Sequence, residues 1–207
     1  MKRRKLPSVL EKYKFNKQGL IETDYGLRVP AYVASPLGFN VPGRFYLENI
    51  FYPKLDNGAG VIPLCPFKAC AEYLGPMPVD SAPFRKKFNY WHKFNTEIIP
   101  EVNYGLLMPA SRFMIAILEG HSVDEGVAAE IAHFSTEGYG PVIGIRTDFR
   151  LAENMAANIN GAVQHFIDGK PYSGKFICGP DAYDVAMREI KTLADKIREE
   201  TKAMGLN

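Results

Sequence analysis

The sequence predicts a three-layer α/β/α domain, with helices on both faces of a mainly parallel sheet of about five strands. Three observations predict it. Short apolar runs at residues 28–35, 61–64, 113–118, 141–145 and 175–178 are strand-sized and rich in β-branched and long aliphatic residues. They lack the in–out alternation of half-exposed strands, as parallel strands covered on both faces do. Between them lie segments with apolar residues at helical spacing, which are the crossovers a parallel sheet needs. The first and third strands are expected side by side.

At 207 residues the chain can bury one sizeable core, and 46% apolar content is ordinary for a globular protein. A net charge of +2 argues against an extended nucleic-acid surface. The cysteines Cys65, Cys70 and Cys178 are scattered, with no CxxC and no metal-ligand spacing. Reduced thiols in a cytoplasmic protein are the simplest account. No apolar run approaches the roughly 20 residues of a membrane span, so no membrane partner is expected. The basic start, Met-Lys-Arg-Arg-Lys, is not followed by the apolar core of a signal peptide.

Residues 1–28 read as a basic extension with a short helix around 8–14, ahead of a single domain over 29–207. The first strand, 28–35, is followed by a turn containing Pro36, Gly38 and Asn40. A helix then runs to about Leu55, with Asn40 or Val41 near its cap, Pro42 in its first turn, and Phe45, Ile50 and Leu55 marking its apolar side. The turn after a first strand is a usual ligand-binding place in such sheets. Ser35 and the Gly38-Phe39 pair could meet a planar ligand there, Phe39 by stacking. The turn is not GxGxxG, so a dinucleotide fingerprint is absent.

Residues 61–64 give the second strand. Residues 65–83, rich in Pro, Gly and Ala, are long for a compact connection and read as a flap over a site. Residues 84–100 carry Arg85, Lys86, Lys87, Tyr90, Trp91, His92 and Phe94. Basic residues interleaved with aromatics occur in nucleic-acid binding, but an amphipathic helix or a subunit contact explains them better, and helix is expected on through 102–110. After the fourth strand, 151–166 reads as helical and contains Asn154, Asn158 and Asn160. Gly179-Pro180-Asp181 opens a long last helix with Ala186, Ile190, Leu193 and Ile197 on its apolar face.

The stretch 113–150 is the most informative. Strand, acidic loop, helix and strand form one βαβ unit, with carboxylates at the carboxyl end of a strand. Ser122-Val-Asp-Glu125 fits a capping box, and Asp124 could equally be the N-cap. Acids there gain from the positive end of the helix dipole. Val127, Ala128, Ile131 and Ala132 form the stripe facing the sheet, and Glu130 lies beside it. Gly120 and Gly126 keep the backbone bare next to the carboxylates.

Four ordered pieces resemble the nucleoside 2-deoxyribosyltransferase family over roughly residues 29–166: Tyr32-Val-Ala-Ser-Pro-Leu-Gly-Phe39, Ala116-Ile-Leu-Glu-Gly120, Asp124-Glu-Gly-Val-Ala-Ala-Glu130 and Gly144-Ile-Arg-Thr-Asp-Phe-Arg150. The resemblance implies a flavodoxin-like or Rossmann-like sheet and exchange of the base of a 2′-deoxynucleoside through a glycosyl-glutamate intermediate. It places Glu130 as nucleophile, Tyr32 as the tyrosine that positions it, and Asp124, six residues before, as a substrate ligand. Ser35, Gly38, Phe39 and Gly126 would line the substrate. Asn160, with Asn158 close behind, matches an asparagine near the sugar 5′-hydroxyl. No cofactor or metal is implied. The partners are a small nucleoside and a nucleobase, within a homo-oligomer that shares active sites. His121 and His133 match no catalytic position of the family.

One position departs from the pattern. Where the family usually has an aspartate before the third strand, this chain has Ser111-Arg112. Arg112 could bind a phosphate, pair with Asp124 or Glu130, or point away. Related enzymes that hydrolyse deoxynucleoside monophosphates carry a basic residue in the first strand–helix turn. Residues 35–40 have none, although Arg44 follows, so free deoxynucleosides are favoured. N-glycoside hydrolysis, and nucleotide sensing without catalysis, are the alternatives.

Overall fold

The computed structural model describes residues 9–73, 78–147 and 159–204. A seven-stranded mixed sheet runs through them, with helices on both faces. Five strands form the parallel part: β3 (Gly26–Ala34), β4 (Val61–Leu64), β5 (Phe113–Ile117), β6 (Val142–Arg146) and β7 (Lys175–Cys178). Their spatial order is β4-β3-β5-β6-β7. The first and third parallel strands are therefore neighbours, with Tyr32 opposite Met114. This is the doubly wound order of flavodoxin-like folds, whose ligand crevice lies where the chain reverses direction across the sheet.

Two further short strands, β1 (Lys14–Phe15) and β2 (Ile21–Thr23), form an antiparallel hairpin that extends from β3. The sequence led us to expect a helix over 8–14, but turns and β1 occupy its described part. From Val9 onward this segment packs on the domain, and Leu20 and Ile21 are buried in it.

One face of the sheet is covered by helix α1 (residues 41–59) and the last helix, Ala182–Met204. The other is covered by α2 (Pro66–Tyr73), α3 (residues 84–107), α4 (Glu125–Thr136) and α5 (Gly161–Asp168). The last helix is α6. Along β3 the residues alternate between the two layers. Val29, Ala31 and Val33 face α1 and α6, whereas Tyr32 and Ala34 face α2, α3 and α4. That alternation puts a tyrosine on the side where α4 lies.

The apolar face of α1 is Leu47, Phe51, Tyr52, Leu55 and Ala59. Phe45, expected on that face, is 63% exposed, and Ile50 is exposed as well. The helix alternates α-type with wider π-type turns. Interleaved i→i+5 turns lengthen the mean repeat toward four residues, so positions 47, 51, 55 and 59 stay on one side. Gly60 ends the helix with φ +67°, in the left-handed region that glycine adopts without strain.

The stretch expected as a flap is partly helix α2, whose Ala69 and Cys70 enter the core. Residues 84–107 are helical as expected, but none of Phe84–Lys93 is buried. Of the helix expected over 151–166, the described part is helical from Gly161, with Asn160 as its N-cap. The expected helix over 151–158, with Asn154 and Asn158, lies outside the described residues. Among the described residues no helix is long and apolar enough to cross a membrane.

The burial of Leu20 gives a direct test of whether the N-terminal segment belongs to the domain. Leu20→Ala should lower the unfolding free energy by about 2–5 kcal/mol in urea titrations, the cost of a truncated core leucine. A freely solvated extension would leave it unchanged.

Candidate active site

The carboxyl ends of β3 and β5 lie side by side at the point where the chain direction reverses. After β3, Ser35 Oγ accepts from Leu37 N at 3.1 Å and caps the turn Pro36–Phe39. Asn40 Oδ1 accepts from Gly43 N at 2.7 Å and caps α1. Gly38 has a packing reason: a Cβ there would come within 2.1 Å of the Phe67 ring. Phe39 is 72% exposed and meets Phe67 edge to face, ring centroids 5.0 Å apart. Ser35 is nearly buried, so of these residues Phe39 offers the most open surface.

After β5 the chain runs through an acidic loop into α4. Of the two candidate N-caps, Asp124 does the capping, its Oδ1 accepting from Val127 N at 3.0 Å. Gly126 sits against this cap, and a Cβ there would lie 3.0 Å from Asp124 Oδ1. The loop is anchored from β6. Arg146, itself buried, donates to the carbonyls of Leu118 (2.7 Å) and Gly120 (2.9 Å). Thr147 donates to Glu119 Oε1 from its backbone N–H (2.7 Å) and its hydroxyl (2.8 Å).

In the second turn of α4, Glu130 reaches the sheet. Tyr32 donates its hydroxyl to Glu130 Oε1 at 2.7 Å, and Asn103 Nδ2 donates to the same oxygen at 3.0 Å. Behind Asn103, the Cys70 thiol donates to Asn103 Oδ1 at 3.6 Å. Residues from β3, α2, α3 and α4 thus converge on one carboxyl group. Among the described residues Glu130 Oε2 has no hydrogen-bond partner, and it keeps solvent contact. Tyr104, next to Asn103, stacks edge to face on His133, centroids 4.7 Å apart. His133 is thereby held between Tyr104 and Tyr139, and His121 is exposed.

Burial dominates the electrostatics. It pushes the Glu130 carboxyl up to about 7; the bonds from Tyr32 and Asn103 pull down against it, and the Asp124 charge adds a smaller push upward. Burial, and then the Glu130 charge, hold the Tyr32 phenol well above its ordinary range, so it remains a neutral donor. Burial also pushes the Cys70 thiol up to about 12, with the Glu130 charge next. Tyr104 is raised for the same two reasons.

The sequence-predicted residues therefore separate. Tyr32, Glu130 and Asp124 are brought together around α4. Of the placements open to Arg112, the structure has it pointing away from Asp124 and Glu130. It sits at the amino end of β5, where its Nη1 donates to the Gln18 carbonyl at 3.3 Å, and it lines a cleft with Phe15, Ser111 and Tyr139. Asn160 uses its Oδ1 to cap α5, accepting from Ala162 N at 2.9 Å. Sequence reasoning missed Asn103, Cys70 and Arg146. The signal for Asn103 was a lone amide beside Val102 and Leu107, on the buried side of α3. Among the described residues no three His, Cys, Asp or Glu gather as metal ligands.

No family model and no curated protein matches the chain. Among solved structures it is similar to a conserved protein from Enterococcus faecalis V583, at 20% identity and TM-score 0.54, over 80% of this chain and 98% of that one. It is also similar to a 2-deoxyribosyltransferase from Bacillus psychrosaccharolyticus, at 16% identity and TM-score 0.39, over 76% of this chain and 90% of that one. The first likeness speaks to the fold alone.

The raised Glu130 has a consequence for stability. A carboxyl that folding lifts from 4.5 to about 7 favours the folded state while protonated. That contribution is complete below about pH 4.5 and is lost as pH rises through about 7. Glu130→Gln, which cannot ionise, should remove this decline. Between pH 4.5 and 7.5 its unfolding free energy should gain on the wild type by up to about 2–3 kcal/mol, read by urea titration at each pH.

Proposed function

We propose that this protein exchanges the base of 2′-deoxynucleosides, with Glu130 as nucleophile. The observation that carries this reading is the asymmetry of the Glu130 carboxyl. Oε1 holds two hydrogen bonds, from Tyr32 and Asn103, while Oε2 keeps solvent contact beside the crevice of the sheet. A carboxylate held by one oxygen and free at the other suits attack on a carbon with oxocarbenium character. The ordered motifs around Tyr32, Asp124 and Glu130 support the same reading.

Oε2 attacks C1′ of the deoxyribose as the C1′–N bond breaks, and the bonding pair leaves with the base, which takes up a proton. A glycosyl ester on Glu130 results. The ring nitrogen of a second base then attacks C1′ and loses its proton, which balances the one taken up by the first base, while the ester bond breaks and its electron pair returns to the carboxylate. Two displacements retain configuration at C1′. Tyr32 holds the rotamer of Glu130 throughout. Asp124 caps α4 through Oδ1 and has Oδ2 to bind base or sugar. Phe39 offers an exposed ring on which a base can stack. The turn after β3 carries no cation, which favours free nucleosides over monophosphates. We further propose a homo-oligomer that completes these sites, joined through the exposed Phe84, Phe88 and Trp91 of α3. Light scattering at micromolar concentration tests this, and a fully active monomer would refute it.

Incubation with deoxyinosine and adenine should give deoxyadenosine and hypoxanthine. Free deoxyribose without deoxyadenosine would mean hydrolysis, and binding without either product would mean sensing. Glu130→Gln should cost several powers of ten in rate, and a slow 2′-fluoro nucleoside should leave its sugar on Glu130 in the wild type. Because the nucleophile must be ionised and its carboxyl titrates at about 7, kcat/KM should rise as pH increases through about 7. Survival of activity in Glu130→Gln, or the sugar found on Asp124, would overturn the assignment.

A further inference from the structure

Cys70, Asn103 and Glu130 form a line of directed hydrogen bonds that the sequence motifs do not include. An amide side chain has a donor end and an acceptor end of nearly the same shape, so its neighbours decide which way it faces. The Cys70 thiol has one proton to donate and is only a weak acceptor. It lies 3.6 Å from Asn103 Oδ1, which leaves Nδ2 facing Glu130 Oε1 at 3.0 Å. The opposite orientation would set Oδ1 against a carboxylate oxygen and waste the thiol proton. Cys70 and Asn103 are both buried, so water does not substitute for either contact.

We infer that Asn103, its amide oriented by Cys70, is a positioning residue that holds the Glu130 carboxyl in one plane and favours its charged form. The inference deepens the base-exchange reading and rests on it for its catalytic meaning. Tyr32 alone fixes one oxygen but leaves the carboxyl free to turn about that contact. A second donor on the same oxygen, from α3 on the other side, removes that freedom and leaves Oε2 as the open atom. Each donor also opposes the desolvation that neutralises the group. The other titratable groups facing Glu130 are Tyr32 from β3, Tyr104 from α3 and Asp124 at the start of its own helix. All three sit within the same cluster and remain intact in the variants below.

The test reads Glu130 itself. In protein labelled with 13C at the glutamate side-chain carboxyls, the Glu130 signal is the one missing from Glu130→Gln. Its titration midpoint is followed in the wild type, Asn103→Leu, Cys70→Ala and Cys70→Ser. Asn103→Leu keeps the volume and loses the donor, so the midpoint should rise by about one pH unit, the effect of one hydrogen bond to a charged group. Cys70→Ala should move it in the same direction by less, and Cys70→Ser, which restores a donor, should return it toward the wild type. If Asn103→Leu does not fold, the two Cys70 variants, which leave Asn103 in place, still decide. In the exchange assay kcat should fall ten- to a hundredfold in Asn103→Leu, with KM within about threefold. Midpoints unchanged in both Asn103→Leu and Cys70→Ala would overturn the inference. Shifted midpoints in a protein that exchanges no base would uphold the positioning of Glu130 and overturn the base-exchange reading instead.

Discussion

The structure turns on a carboxyl group that has been taken out of water and given two hydrogen bonds in return. Desolvation of Glu130 outweighs what Tyr32 and Asn103 restore, so the group titrates near neutrality, not in the usual acid range. Such a balance exists only if both donors stay where they are. Tyr32 is fixed because it lies on β3, which pairs with β4 on one edge and β5 on the other, and its side chain is fully buried. Asn103 is fixed because α3 is pinned by Ile98, Val102 and Leu107 in the same layer. The sheet and two helices thus act together on a single oxygen atom.

The loop between β5 and α4 shows the same economy. Its carbonyls are held by a buried Arg146, Glu119 is held by Thr147, and its end is held by Asp124 capping α4. A loop at the edge of a sheet is ordinarily its most mobile part. Here three residues, Arg146, Thr147 and Asp124, pin it, so the start of α4, and with it the angle at which Glu130 leaves the helix, is set by β6 as much as by the helix's own sequence.

Much of this was legible in the chain. The five parallel strands appear as apolar runs because a strand covered on both faces has no polar positions to interrupt it. Tyr32, Asp124 and Glu130 were singled out by the resemblance of four ordered motifs, and the structure brings Tyr32 and Glu130 into hydrogen-bond contact. The apolar face of α1 was misplaced because a repeat lengthened by π-type turns mimics no standard helical wheel, and Phe45 and Ile50 fell on the solvent side. The hairpin at residues 14–23 was hidden by its brevity and its charges, since strands of two and three residues carry no periodicity to read. Asn103 and Cys70 escaped because their meaning is a contact across 33 positions of sequence, and nothing local in either residue announces it. Asn160, expected near the sugar 5′-hydroxyl, caps α5 through its Oδ1, a role its position just before Gly161 also fits.

Among the described residues the layer opposite Glu130 is made of two helices, α1 and α6, and α6 supplies Ala182, Ala186, Ile190, Ala194 and Ile197 to it. Arg198 then reaches back to the carbonyls of Ala59 and Gly60 where α1 ends. Because α6 follows every described strand in sequence, a ribosome that has made those strands has still not made the cover for half of one face. The growing polypeptide therefore carries an open greasy surface until α6 has been made, the period in which sticking to other chains competes with folding. A stop codon at the start of residues 182–204 would remove Ala182, Ala186, Ile190, Ala194 and Ile197 together and leave that face uncovered, although every candidate catalytic group would still be made.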